Sequence, residues 1–268
     1  IRRNSRSSGF ATSSDRVAAR RRRHRRQPAG AHHGARLRRL HCPRSRSARH
    51  KEAGMLTVWG RRNAFNVQKV MWLVDELALA HQHVPAGGRF GVLDTPEFLA
   101  MNPHGRIPVI DDGGTVVWES HSILRYLAAR YGRPGFWHDD PAERSRADRW
   151  MDWSQTTLQP TFLNGVFRGY FRTPPEQRDT VRVEQSIAQC AQHFQALDAA
   201  LAGQPFLAGD TLTLADIAAG THLYRYFELG IARPDLPHVQ AWYERLKTRP
   251  AYRTHVMIPF EDLRGRLD

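Results

Sequence analysis

Cysteine is nearly absent from this sequence of 268 residues, which contains only Cys42 and Cys190. Such a pair cannot build a disulfide framework, and it does not form the CxxC pattern of redox or zinc sites. Long apolar segments are also missing, since no run approaches the ~20 residues of a membrane-spanning helix. The start of the sequence is basic but lacks the apolar stretch of a secretory signal. We therefore expect a soluble cytoplasmic protein with no membrane partner.

Positive charge is abundant, but it is confined to one end of the chain. Lys and Arg number 40 against 26 Asp and Glu, which gives a formal net charge of +14. Residues 1–54 contain 17 of the basic residues and only two acids, Asp15 and Glu52. The other 23 basic residues are balanced by 24 acids in residues 55–268. This body is therefore near neutral, and it is long enough to bury a substantial core.

The basic N-terminal segment, residues 1–54, has few large apolar side chains and is expected to be disordered. Its run Arg20–Arg26 could bind nucleic-acid phosphates or act as a nuclear localisation signal. Its Arg- and Ser-rich composition is also typical of an organelle transit peptide. We favour a third interpretation, in which this segment is translated from upstream of a start at Met55 and is not native. One group of His and Cys residues matches no standard zinc spacing, and no metal is expected there: His32, His33, His41 and Cys42.

The first part of the body alternates short apolar runs with helical repeats of apolar residues. Turn and cap signals separate these patterns: a glycine pair between two strands predicts a hairpin, and Thr95 before Pro96 predicts a helix start. The predicted order is βαβαββα, with a strand at Leu56–Trp59, a helix from Val67 to about residue 79, a weak strand at His83–Pro85, a short helix from Thr95, strands at Pro108–Asp111 and Thr115–Trp118, and a helix through Tyr131.

Strand patterns disappear after residue 132, and helical patterns follow. Residues 141–170 form an aromatic-rich helical pattern, with an expected bend near Pro160. A long apolar stripe over residues 183–201 includes Cys190, which is expected to be a small core residue and not a nucleophile. Thr213–Asp216 has the pattern of a capping box.

A last clear helical repeat, at residues 239–246, ends before Pro250. The sequence therefore predicts a small α/β domain followed by an all-helical one. The expected boundaries are an extension at 1–54, the α/β domain at 55–132, a linker at 133–140 and the helical domain at 141–268.

Three short motifs stand in a fixed order in the body: Asn102–Pro108, then Glu119-Ser120, then Thr213–Asp216. In this order and spacing they resemble the cytosolic glutathione S-transferases, and the likeness covers residues 55 to about 255. The resemblance implies a thioredoxin-like α/β N-terminal domain and an all-α C-terminal domain. The stretch Asn66–Val70 is most similar to bacterial theta-like or nu-like members.

The resemblance implies a site for glutathione, which serves as a cosubstrate. An extended peptide can pair its backbone with a strand edge at Ile107, and the family has a cis bond before Pro108. Glu119 would accept hydrogen bonds from the γ-glutamyl ammonium, and Ser120, at a helix N-terminus, would bind the γ-glutamyl carboxylate. The side chain of His104 or Arg106 would hold the glycyl carboxylate. The implied glutathione-binding residues are His104, Arg106, Ile107, Pro108, Glu119 and Ser120.

Each of these residues also has a purely structural interpretation. Glu119 and Ser120 could cap a helix without any ligand, Pro108 could simply start a strand, and the two basic residues could lie in a solvated loop. Taken together, the residues favour the ligand. Asp216 is different, because it resembles the structural capping box of the helical domain and is assigned to folding.

The group that would ionise the glutathione thiol departs from the family pattern. The thiolate is the nucleophile, and a free thiol has a pKa of ~8.5. Family members place Tyr, Ser or Cys after the first strand, but the theta-type serine falls on Ala64, and Arg61–Asn66 contains no hydroxyl or thiol. The amide of Asn63 is the candidate donor. Asn66 is the weaker candidate because it could instead cap the first helix. The dipole of that helix would also favour an anion at this position.

We expect a transferase that conjugates the glutathione thiolate to small hydrophobic electrophiles, with slow catalysis or glutathione-dependent peroxidase activity because the hydroxyl is missing. The resemblance also implies a homodimer. The alternative is a non-catalytic glutathione- or ligand-binding protein on the same fold. A third hypothesis, nucleic-acid association, depends only on the basic N-terminal segment, and nucleic acid is not the expected partner.

An aromatic pocket in the helical domain would receive the electrophile. About a third of the candidate side chains are expected to line a cleft, because most aromatics at helical spacing belong to the core. Arg168 and Arg172 could attract acidic electrophiles, but solvation at the surface is the favoured interpretation. The aromatic candidates are Trp150, Trp153, Phe162, Phe167, Tyr170, Phe171, Tyr224, Tyr226 and Phe227.

Overall fold

The computed structural model of the protein describes residues 55–132 and 135–267. The expectation that residues 1–54 are disordered and not native concerns residues outside this range, as do Arg133 and Pro134 of the expected linker.

A four-stranded mixed sheet organises the first part of the chain, with strand order β2-β1-β3-β4. β1 is parallel to β2 and antiparallel to β3, which pairs in an antiparallel hairpin with β4. The strands are β1 Leu56–Trp59, β2 His81–Val84, β3 Val109–Asp112 and β4 Thr115–Trp118. The helices are α1 Phe65–Glu76, α2 Pro96–Met101 and α3 Ser120–Tyr131. The expected βαβαββα order of a thioredoxin-like domain is confirmed.

Local sequence explains where these elements begin and turn. The Thr95 hydroxyl accepts a hydrogen bond of 3.3 Å from the Phe98 N–H, and proline occupies the first position of α2, so the predicted cap is confirmed. The β3–β4 turn contains Gly113 and Gly114, whose φ angles are 59° and 88°. Glycine adopts this left-handed region without a Cβ clash, which is why the pair forms the hairpin.

A long helical segment opens the second part of the chain. The Asp140 side chain accepts from the Ala142 N–H and caps α4, Pro141–Trp153. The helix continues as π-type turns over Ser154–Leu158 and Pro160–Arg172. Helical backbone therefore passes through the proline, and the wide i→i+5 turns accommodate a residue that has no N–H to donate.

Five further helices complete the structure over the described residues: α5 Thr180–Leu201, α6 Leu214–Gly220, α7 Leu223–Glu228, α8 Pro237–Lys247 and α9 Pro250–His255. The predicted stripe of α5 is confirmed, and its Cys190 is completely buried. Burial raises the pKa of the Cys190 thiol to about 12, so the thiol stays protonated and belongs to the core. No helix in the described part of the chain has the length and apolar character to cross a membrane.

Asp216 has the structural role that was predicted for it. The capping box is present: the carboxylate accepts from the Thr213 N–H at 2.8 Å, while the Thr213 hydroxyl accepts from the start of α6. Asp216 also accepts from the Leu207 N–H at 2.9 Å and the Trp242 indole N–H at 3.1 Å. Burial raises the pKa of Asp216 to about 6, against the opposing effect of these donors. The residue holds α6, α8 and the loop before α6 together.

The sheet part and the helical part share one continuous apolar core. Trp72 of α1 and Tyr252 of α9 are both fully buried and meet edge to face, with ring centroids 4.8 Å apart. At the rim of this contact, Arg249 forms two hydrogen bonds of 2.7 and 2.6 Å to the carboxylate of Glu76. The bidentate pair fixes the orientation of α9 against α1.

Candidate functional site

Three loops meet at one end of the sheet, where β1 and β4 end and β3 begins. In the strand register, Trp59 at the end of β1 pairs with Val109 at the start of β3, and Val109 pairs with Trp118 at the end of β4. The loop after β1, the residues Ile107–Pro108 and the residues Glu119-Ser120 therefore lie at the same edge. The sheet brings together site residues that are far apart in the sequence.

The segment before β3 is held in shape by the buried amide of Asn102. Its Oδ1 accepts from the His104 N–H at 3.1 Å, and its Nδ2 donates to the Arg106 carbonyl at 2.8 Å. The side chains of His104 and Arg106 are exposed, and the His104 ring lies edge to face with Trp118 at 5.2 Å. The Ile107–Pro108 peptide bond is cis. Both basic candidates therefore precede β3 with their side chains accessible to solvent.

Glu119 and Ser120 lie at the beginning of α3, but their side chains do not cap it. Glu119 occupies the N-cap position with φ of 67° and forms no side-chain capping bond. The Glu119 carboxylate is exposed, whereas Ser120 is 3% exposed, and its hydroxyl forms no hydrogen bond within the described part of the chain. Both polar groups, together with the N–H groups of the first turn of α3, are therefore free to bind an anionic or zwitterionic ligand.

The loop after β1 leads directly into α1, which begins at Phe65. Ala64 occupies the N-cap position, so the interpretation of Asn66 as the helix cap is wrong. Asn66 is the second residue of the helix, and its Oδ1 is buried without a partner among the described residues. Asn63 is half-buried, and its carbonyl accepts a 2.7 Å hydrogen bond from Arg225. The amide side chain of Asn63 remains uncommitted within the described chain.

A cleft of about 850 Å³ opens beside Asn63. Its walls come from the loop after β1, the segment after β2 and the C-terminal residues of the described chain. None of the nine aromatic candidates from the helical part lines this cleft, whereas Phe227 lines a separate groove beside Pro237. Four of the nine are buried in the core, and the other five are half-buried against it; the buried four are Phe162, Phe167, Phe171 and Tyr226. Helical spacing identified buried faces correctly but could not separate core from pocket.

Arg225 contacts the loop after β1, which contributes to the cleft wall. The side chain is 4% exposed, and its guanidinium carbon lies 4.6 Å from the centroid of the Phe167 ring. Burial, together with the charges of Arg172 and Arg61, lowers the pKa of Arg225 to about 9, and the carboxylate of Asp262 opposes this shift. By donating to the Asn63 carbonyl, this residue fixes the loop from which the candidate donor projects.

Lys69 of α1 connects the sheet part to the helical part. Its Nζ donates a 2.6 Å hydrogen bond to Oε1 of Gln159 and lies 3.0 Å from Nε2 of His121 in α3. The residue is completely buried, and burial lowers the pKa of its amine to about 7, while the carboxylate of Glu119 raises it. Within the described residues, no three His, Cys, Asp or Glu side chains are close enough to hold a metal ion.

Sequence reasoning gave no role to Lys69, Arg225 or Asn102. Two of them carried a signal: Lys69 stands inside the apolar stretch that forms α1, and Arg225 is flanked by aromatic residues. A charge among apolar neighbours indicates either a break in the core or a buried functional ion, and the pattern alone does not separate the two.

Comparison with known families decides the assignment. Residues 61–135 match the glutathione S-transferase N-terminal domain, and residues 158–250 match the glutathione S-transferase C-terminal domain. The chain belongs to the glutathione S-transferase family. The resemblance drawn from the three motifs is confirmed.

Relatives of this transferase match it over nearly their whole length. Glutathione S-transferase GstB of Escherichia coli K12 is 42% identical over 207 residues, which is 76% of this chain and 99% of the relative. Glutathione S-transferase 3 of Zea mays is 33% identical over 75% of this chain and 93% of its own. The crystal structure of a theta-class glutathione S-transferase from Xanthomonas axonopodis pv. citri, with glutathione bound, is 45% identical and has a TM-score of 0.72 over 76% of this chain and 98% of its own. The expected likeness to bacterial theta-like members is confirmed.

Proposed function

We propose that this transferase binds glutathione at the sheet edge and conjugates its thiol to small electrophiles with an apolar body. The observation that carries the proposal is the pair of uncommitted polar side chains at the start of α3, Glu119 and Ser120. Side chains that neither cap the helix nor pair with a neighbour are available for a ligand, and the positive end of the α3 dipole lies beside them.

The proposed placement uses each end of the glutathione molecule. Glu119 accepts from the γ-glutamyl ammonium, while the Ser120 hydroxyl and N–H donate to the γ-glutamyl carboxylate. The backbone of Ile107 pairs with the cysteinyl amide group, in the manner of a peptide added to a strand edge. The exposed side chain of His104 or Arg106 holds the glycyl carboxylate. This placement directs the thiol toward the loop after β1.

We propose that the Asn63 amide donates a hydrogen bond to the glutathione thiolate, with Asn66 as the weaker candidate. Support comes from the uncommitted Asn63 side chain and from the N-terminus of α1, where Ala64 leaves the first N–H groups without a side-chain cap. In the reaction the thiol proton passes to solvent, a carbon–sulfur bond forms, and the leaving group departs with its electron pair. Activation by an amide is weaker than by a hydroxyl, so conjugation should be slow.

The alternative is a protein that binds glutathione without activating it. One observation favours it: Ala64 stands at the position where the theta-type serine would lie, so no hydroxyl is present in this loop. Glutathione-dependent peroxide reduction remains a second activity of the proposed enzyme, because it uses the same thiolate.

The remaining assignments follow from the family. We propose that residues 55–132 bind glutathione, that 133–140 link the domains, and that 141–268 form the helical domain. We also propose a homodimer that works in the cytoplasm. Size-exclusion chromatography with light scattering on the purified chain tests the dimer directly.

The test of the proposed function is a pH titration of glutathione bound to the full chain, which follows thiolate absorbance in the near ultraviolet. We expect the bound thiol to ionise at least one pH unit below its free pKa of ~8.5. Asn63→Ala should reverse most of this shift, Asn66→Ala tests the weaker candidate, and Asn164→Ala replaces an exposed asparagine of the π-helical segment as a matched control.

Two outcomes would contradict the proposal in different ways. Tight binding with an unshifted thiol pKa would show a binding protein that does not activate glutathione. An absence of glutathione binding would show that the roles given to Ile107, Glu119 and Ser120 are wrong.

A further inference from the structure

The cleft beside the candidate thiol site is strongly cationic. Four arginines line it, Arg61, Arg62, Arg89 and Arg266, together with one acid, Asp262. None of the four arginines forms an ion pair within the described part of the chain. Because residues 55–268 contain 23 basic and 24 acidic residues, this local excess does not reflect the composition of the body.

The arginines come from three separate segments of the chain. Arg61 and Arg62 follow β1, Arg89 lies in the segment after β2, and Arg266 lies near the C-terminus. Charges brought together from distant segments repel one another, which costs free energy in the empty cleft. An anion bound among them would remove this cost.

A buried cation contacts one residue of the cleft wall, Asn63. Arg225 is almost completely buried and donates to no carboxylate among the described residues. One nitrogen donates to the Asn63 carbonyl, and its Nε has no partner among the described residues. Burial is the main cause that lowers the pKa of Arg225; the charges of Arg172 and Arg61 add to it, and Asp262 opposes it. The field in the cleft is therefore produced by buried and exposed cations together.

Apolar surface completes the same cleft. Phe90 is 40% exposed, and Pro85, Ile258 and Leu263 also contribute to the walls. The Arg89 guanidinium carbon lies 4.9 Å from the centroid of the Phe90 ring, so a cation stands next to the apolar wall. This combination fits a ligand that has an apolar body and an acidic group.

We infer that the second substrate of this transferase is an anionic electrophile, with an apolar body against Phe90 and a carboxylate or similar acid among the cleft arginines. The inference rests on the proposed function and names the substrate class of the same site. The glutathione sulfur attacks the electrophilic carbon, the carbon–sulfur bond forms, and the leaving group departs with its bonding electrons. The acidic group of the substrate stays unchanged and only anchors it.

The test uses two aromatic probes that differ in charge alone, 4-chloro-3-nitrobenzoate and 4-chloro-3-nitrobenzamide. In both, glutathione displaces chloride from the ring, and each rate is divided by its rate without enzyme. We expect the enhancement to be at least about tenfold larger for the benzoate at low salt. This preference should fall as ionic strength rises from about 0.02 M to about 0.5 M, because salt screens exposed charges.

A variant locates the effect in the cleft. Arg89→Gln with Arg266→Gln removes two exposed cleft charges without touching the loop that carries Asn63. We expect kcat/KM for the benzoate to fall about tenfold and that for the benzamide to change less than about twofold. Arg149→Gln with Arg182→Gln is the matched control, since both residues are exposed and neither lines the cleft.

Three outcomes would overturn the inference. Equal enhancement of the two probes would show that the cleft does not select an anion. Equal loss for both probes, with a raised pKa of the bound thiol or a raised KM for glutathione, would show that the arginines act on glutathione itself. Activity with neither probe, although glutathione binds, would overturn the proposed conjugation and this inference with it.

Discussion

Lys69 gives the sharpest test of how burial determines charge in this protein. The side chain is completely buried where α1, α3 and the π-helical segment meet, and its amine lies against His121 and Gln159. Lys69→Met keeps much of the apolar side chain and removes the amine. The substitution therefore isolates the effect of one titratable group in the core.

The magnitude follows from the pKa of this amine. Burial lowers the pKa of Lys69 from 10.5 to about 7, so the folded protein releases its proton above about pH 7 while the unfolded chain keeps it up to about pH 10.5. Between these values the unfolded state binds more protons, so the free energy of unfolding rises with pH. The contribution of Lys69 amounts to about 2 kcal/mol between pH 7 and pH 9. Methionine contributes no such change.

Urea unfolding at pH 7 and pH 9 measures this difference, with fluorescence of the buried Trp72 and Trp242 as the probe. Protein concentration is held constant, because assembly would otherwise change the apparent stability. The stability of the natural protein relative to Lys69→Met should increase by about 2 kcal/mol over this range. Lys247→Met, at a half-exposed lysine of α8, is the matched control. The same pH dependence in the natural protein and in Lys69→Met would refute the reasoning.

Two further substitutions test the scaffold and the ligand site. Asp216→Ala should lower the free energy of unfolding by about 3–5 kcal/mol, because three N–H donors would lose their acceptor inside the core. Urea unfolding measures the loss, and a decrease below about 1 kcal/mol would show that these hydrogen bonds are easily replaced. Glu119→Gln should raise the KM for glutathione about tenfold, because a neutral amide binds the γ-glutamyl ammonium more weakly than a carboxylate does; an unchanged KM would exclude Glu119 from the site.

Much of the fold could be predicted because its signals are local. The apolar repeat of α5, the cap at Thr95 and the glycine pair of the hairpin each depend on residues within a few positions of one another. Two short helices, α7 and α9, were not predicted as separate elements, since six residues each are too few to show a helical repeat. The weakly apolar β2 was placed two residues late for a similar reason.

The candidate site was predictable in part. The motifs that contain Ile107, Glu119 and Ser120 indicated the binding edge because the family likeness preserves their order along the chain. The helix cap was assigned to the wrong residue, Asn66, since asparagine is a common cap and the sequence does not show that α1 begins two residues before Val67. The aromatic candidates do not line the cleft beside Asn63, because helical spacing describes which face of a helix is apolar and not what covers it.

The amino-acid sequence by itself determined the order of strands and helices, the structural role of Asp216 and the membership of the family. Tertiary structure alone decided that Lys69 and Arg225 lose their water, and that Arg61, Arg89 and Arg266 line one cleft. The physical reason is that secondary structure depends on neighbours along the chain, whereas the pKa of a group and the field in a cleft depend on through-space distances between segments far apart in sequence.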